Sequence, residues 1–188
     1  MSKKKEIKET KEKKEKVEKF NITFISGSAN SEEKGAKELY DQSRFGESKE
    51  GKILYSLVEA LYLLEKGKAD ILDGKKKLKA NEFIKKAVKN EPNFLVRYVV
   101  FSDMRNRGYI IKTALKFGAD FRVYDRGIKP GEDHAKWILY PVREAEVFSW
   151  YNFSAKNRVA HSTRKRLLIA IVDEENDVTY YTIAWTRP

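Results

Sequence analysis

Cysteine is absent from the 188-residue chain, which excludes disulfide staples, thiolate metal sites and cysteine nucleophiles. Histidine is scarce: His134 and His161 are the two imidazoles. His161 falls in a helical apolar-periodic stretch, and neither histidine has the carboxylate or histidine spacing of a zinc motif, so no metal and no cofactor is expected. No apolar run reaches the roughly 18 residues of a membrane span. The N-terminus also lacks the apolar segment of a secretory signal, so the expectation is a soluble, cytoplasmic protein with no membrane partner.

Basic charge and a workable core are what the chain does have. Its formal net charge is +11, with 41% hydrophobic and 36% charged residues. Apolar content of that order suffices for one ordinary domain or two small ones. The positive excess favours a polyanionic partner, because Lys and Arg release counterions on neutralising phosphates. Solubility, or the Lys/Glu enrichment of heat-adapted proteins, is the plainer account of the same numbers. Residues 1–19 form a Lys/Glu run whose sizeable apolar residues are Ile7 and Val17, and such a segment is expected to be a disordered or transiently helical solvated tail.

Residues 20–91 read as a small N-terminal α/β domain and 92–188 as a compact C-terminal mixed-sheet domain with flanking helices, an α/β (mixed α+β) chain overall. The first begins with a strand-like Phe20–Ile25. Ser56 and Glu59 make a capping box for a helix with an apolar face at Leu57, Ala60, Leu61 and Leu64, stopping at Gly67. A strand at Ala69–Leu72 turns at Asp73-Gly74 into a lysine run. Pro92 opens the second unit with a helical pattern reaching Gly108. Strand-like segments follow at Tyr109–Thr113, Asp120–Tyr124 and Ala135–Tyr140. A helix at Phe148–His161 precedes a continuous apolar run, Leu167–Val172, suited to a strand buried on both faces. Val178–Trp185 alternates as the last strand.

Three residues at the ends of these strands carry acid–base and charge chemistry. The period of two puts Phe121 and Val123 on the core face and Asp120, Arg122 and Tyr124 on the other, so Tyr124 reads as exposed at the edge of a Gly/Pro-containing loop. His134 ends that loop and begins the next strand; imidazole is the side chain best suited to donate a proton near neutrality. Lys165, in Arg164-Lys165-Arg166, is anchored at the start of the buried run, with local positive potential suited to phosphate. Taken singly, each is equally a surface tyrosine, a solvated histidine and a basic turn.

The stretches Tyr98–Thr113, Gly118–Gly127 and Arg158–Asp173 resemble the catalytic domain of archaeal tRNA-splicing endonucleases, and Ser56–Leu64 gives a shorter echo in the N-terminal unit. The resemblance places no counterpart for the Lys/Glu tail or for the segment from Ile25 to Gly51, whose roles stay open. The resemblance implies an oligomeric RNA endonuclease that cuts precursor tRNA at a bulge-helix-bulge without a metal, leaving a 2′,3′-cyclic phosphate and a 5′-hydroxyl. It implies Tyr124 as base, His134 as acid and Lys165 as anion stabiliser, so the chain resembles a catalytic subunit. A noncatalytic RNA-binding or scaffolding subunit is the alternative, and a basic thermostable protein with no RNA role a third. By the same resemblance Arg158, with Trp185 or Arg187, would pin an unstacked base, and the acidic turn Asp173–Asp177 and the last strand would join subunits in a homotetramer or homodimer, or in a heteromer with a paralogous subunit.

Overall fold

The computed structural model describes residues 17–114 and 118–186. Most of the expected tail, and Arg187, lie outside the described residues. The N-terminal part runs β1 (Phe20–Ile25), β2 (Ser28–Ser31), α1 (Lys34–Ser43), β3 (Glu47–Lys49), β4 (Lys52–Tyr55), α2 (Leu57–Glu65), β5 (Ala69–Asp73), β6 (Lys76–Leu78) and α3 (Ala80–Asn90). Its strands form a six-stranded sheet in the order β3-β4-β2-β1-β5-β6, with β1 and β5 parallel. Ser56 does begin α2: its backbone N–H donates to Glu59 Oε2 at 3.1 Å. The unplaced segment after Ile25 supplies β2, α1 and β3.

The C-terminal part runs α4 (Phe94–Asn106), β7 (Ile110–Ala114), β8 (Ala119–Tyr124), β9 (Trp137–Arg143), α5 (Trp150–Ser162), β10 (Arg166–Val172) and β11 (Val178–Ile183). The sheet order is β11-β10-β9-β8-β7, and α5 is the crossover between the parallel pair β9 and β10. Pro92 precedes the N-cap residue Asn93 and so lies outside α4. Pro141 is tolerated in an interior strand because the β8 ladder covers only Trp137–Leu139 of β9, leaving no partner there for the N–H that proline lacks.

The C-terminal sheet is covered on both faces. Ile111, Phe121, Val123, Leu139, Leu168, Ala170 and Val172 face α4 and join the interior that also contains Phe20, Ile22, Leu61, Ile71 and Phe83, so both domains share one core. On the opposite face Ile138, Tyr140, Leu167 and Ile169 pack with Ala160 of α5. Where the domains meet, the β7 residue Lys112 is buried. Its Nζ donates to Glu59 Oε1 at 2.8 Å and to Gly46 O at 2.6 Å. A buried charge needs such a partner, since unpaired it would face the full desolvation cost. Lys112 holds the Glu59 carboxyl below the usual carboxylate range, against the upward push of burial.

Candidate active site

The β8–β9–β10 ladders fix where the three chemistry-bearing residues fall. Lys136 donates its N–H to Val123 O at 2.9 Å and accepts from Arg166 N at 3.0 Å. Tyr124, Lys136 and Lys165 therefore stand side by side at one end of the sheet, on the α5 face. Neighbouring strands are spaced about 4.8 Å, which puts the Tyr124 and Lys165 backbones roughly 10 Å apart. His134 lies in the loop just before this row, not in a strand, because β9 starts at Trp137. Its ring is exposed, and its N–H donates to Asp133 Oδ1 at 2.6 Å. Two residues of extended chain reach at most about 7 Å, so His134 stays beside Lys136.

The local fold aims Lys165. Thr163 caps α5, and Arg164 adopts a left-handed φ of 55°, a conformation where glycine is usual. That turn lets Lys165 N donate to Ala160 O at 2.8 Å. The Lys165 ammonium itself donates to Thr163 O at 2.8 Å.

Tyr124 keeps the expected alternation but not the expected exposure: it is 4% exposed, not a surface tyrosine. The reason is tertiary. β3 of the N-terminal sheet approaches this face, bringing Glu47 Oε1 within 3.8 Å of Arg122 Nη2, while the Arg122 guanidinium lies 6.0 Å from the Tyr124 ring centroid. Burial pushes the Tyr124 hydroxyl pKa up; Arg122 pulls it down and Glu47 pushes it up further. Beside it Asp125 is paired with Lys136, whose hydrogen bond holds that carboxyl below its ordinary value.

Arg158 and Trp185 come together. With Ser154, Asn157 and His161 they line an open groove of about 370 Å³ on the outer side of α5. Trp185 lies beyond β11, which ends at Ile183 and not at Trp185 as expected. Its ring is 5.0 Å from that of His161. His161 is thus an exposed groove residue, not part of an apolar face; its spacing of three from Arg158 was the available signal. A larger cavity, about 540 Å³, lies between α4 and the β10–β11 turn; Asn176 and Asp177 of the acidic turn line it, but none of the candidate catalytic or base-pinning residues does. Among the described residues no group of three His, Asp or Glu is placed to hold a metal ion, and no helix is long and apolar enough to cross a membrane.

Residues 94–180 match the family described as tRNA intron endonuclease, catalytic C-terminal domain, and residues 23–84 its N-terminal domain, so the Ile25–Gly51 segment does have a counterpart in the family, contrary to the expectation from sequence. The chain belongs to the tRNA intron endonuclease family. Both family domains are present in order, the catalytic one included, which places the chain among RNA nucleases. Among archaeal relatives, a tRNA-splicing endonuclease of Thermococcus onnurineus is 45% identical over 155 residues, covering 82% of this chain and 89% of the relative. One of Nanoarchaeum equitans is 46% identical over 138 residues, 70% and 88% of the two chains. One of Thermococcus kodakarensis is 40% identical over 168 residues, 88% and 98%.

Proposed function

We propose that the chain is the catalytic subunit of a cytoplasmic tRNA-splicing endonuclease that cuts precursor tRNA at a bulge-helix-bulge, without a metal, leaving 2′,3′-cyclic phosphate and 5′-hydroxyl ends. The observation that carries this reading is the row at the sheet end, where Tyr124 and Lys165 flank Lys136 across the β8–β9–β10 ladders, next to the His134 loop. The 2′-oxygen attacks phosphorus as Tyr124 takes its proton. The P–O5′ bond breaks, and His134 protonates the departing oxygen. Lys165 leaves Thr163 O to balance the charge gathering on the phosphoryl oxygens. Because burial keeps the Tyr124 hydroxyl protonated near neutrality, phenolate is the minor form, and the hydroxyl also orients the attacking group. Arg158 and Trp185 hold an unstacked base in their groove.

The active assembly is an oligomer, a homotetramer or homodimer or a heteromer with a paralogous subunit. Three features support it. β11 is paired on one side only, at the end of the sheet order. Tyr181 on it is 55% exposed, whereas Tyr180 turns inward and donates to Asp103 Oδ2 at 2.7 Å. The acidic turn extends exposed Glu174 and Glu175, and a groove of about 440 Å³ between the domains offers Lys68, Arg105 and Lys129 to such a loop.

The test is incubation of the full chain with a bulge-helix-bulge precursor in excess chelator, with analysis of product ends. Cyclic phosphate and 5′-hydroxyl ends are expected. Activity lost to chelator and restored only by one divalent ion, with the RNA fold unchanged, would overturn the metal-free mechanism.

A further inference from the structure

The outward side of α5 continues past the Arg158–Trp185 groove as a stripe of exposed aromatic residues that the reaction does not use. Trp150 is 82% and Tyr151 76% exposed, the two most exposed aromatic side chains in the described residues. At 3.6 residues per turn, Trp150, Ser154, Asn157 and His161 share one face, with Tyr151 and Arg158 along its flank. From Trp150 to His161 the stripe runs about 17 Å, ending beside the turn that places Lys165. The Trp150 ring is not left loose, because it meets Phe153 edge to face with centroids 5.8 Å apart.

Charge points to the occupant. The 13 residues of α5 contain no Asp or Glu, in a chain that has 28 of them, while Arg158 supplies a cation on the stripe. Exposed aromatic rings interleaved with cations, and free of carboxylates, suit the faces of unpaired bases next to phosphates. A purely apolar protein contact would gain nothing from Arg158, Asn157 and His161 in its middle.

We propose that this face of α5 is a stacking track for single-stranded RNA, on which Trp150 and Tyr151 take unpaired nucleotides beyond the base held by Arg158 and Trp185. The assignment rests on the RNA-cleaving function given above. It extends the site by one further element: nucleotides flanking the cleavage point are gripped through their base faces, so length of unpaired RNA, not its sequence, sets the contribution.

The test uses the full chain and two probes, a fluorescein-labelled oligouridylate and a fully paired RNA duplex, with binding followed by anisotropy over a salt series. Trp150→Ala and Tyr151→Ala together are expected to weaken oligouridylate binding about fivefold or more, with little change for the duplex. The slope of log affinity against log salt should stay put in that variant and fall by about one in Arg158→Ala. Trp150→Tyr should restore most of the affinity. Both side chains are exposed, and circular dichroism checks that the variants fold. Unchanged oligouridylate affinity in the folded double variant overturns the proposal. So does a fall in oligomer mass with RNA affinity intact, which makes the patch a contact between copies. A wild-type chain that fails to cleave a bulge-helix-bulge RNA, yet binds oligouridylate through Trp150 and Tyr151, sinks the proposed function and leaves the track standing.

Discussion

The two helices that sandwich the C-terminal sheet are the same length, 13 residues each, and do opposite jobs. α4 buries Phe94, Arg97, Val100, Phe101 and Met104, and even its buried guanidinium is paired, with Glu91 and with Asp120. α5 buries Ala160 alone. A helix that contributes so little to the interior, yet connects two parallel strands, is held by its ends and by one narrow contact line, and its outer surface is free to meet a ligand. The fold is stabilised on the α4 side of the sheet, and the proposed chemistry lies at the sheet end on the α5 side.

The comparison breaks hardest at the sheet end. Tyr124→Phe, His134→Ala and Lys165→Ala should each slow cleavage by about 10² to 10⁴ while leaving the melting temperature close to that of the unmodified chain. A wild-type rate in any one of them removes that residue from the mechanism. Next comes the stability half. Phe101→Ala in α4 should cost about 3–5 kcal/mol, because a ring 1% exposed and packed on Tyr62 and Phe121 leaves a cavity. Asn157→Ala in α5 should cost less than about 0.5 kcal/mol. Denaturant unfolding of the pair measures the contrast, and equal losses would dissolve it.

The smallest effect sharpens the link between the domains and the site. Arg122 lowers the Tyr124 pKa and Glu47 raises it. Losing Arg122 therefore leaves less phenolate at any pH below that pKa, and losing Glu47 leaves more. Arg122→Met should slow single-turnover cleavage and Glu47→Gln should speed it, each by about threefold or less across partly solvated distances. Both changes should shrink as pH rises toward the tyrosine's own titration. Identical pH–rate profiles in the two variants would show that Tyr124 does not act through its ionised form.

Much of the C-terminal domain is legible in the sequence because its signals are strong ones: the alternation in β8, the continuous apolar run of β10 and the glycine, Gly108, that ends the α4 pattern. β2 and β3 are not. Ser28-Ala29-Asn30-Ser31 and Glu47-Ser48-Lys49 carry almost no apolar pattern, and they are strands because β4 and β1 present ladders to them. α3 does carry a helical signal, Ala80, Phe83, Ile84 and Ala87 recurring at spacings of three and four among lysines, with Phe83 and Ala87 fully buried. At the candidate site, the proposed residues rest on the resemblance to the family's motifs, and the ladders show only that they fall at one end of the sheet. The burial of Tyr124 was not legible, since it depends on where β3, far away in the chain, comes to rest. The pairing of His161 with Trp185 likewise needed the C-terminal segment to fold back over α5.

The interior that runs unbroken from Phe20 and Ile71 through Phe101 to Leu168 and Val172 has a thermodynamic meaning. Two domains with separate cores melt one after the other; two that share a core, and bury Lys112 against Glu59 between them, cannot lose one half without exposing the other. The molecule should unfold in a single cooperative transition, with calorimetric and van't Hoff enthalpies that agree, so the nuclease half has no independent folded life to lose or keep.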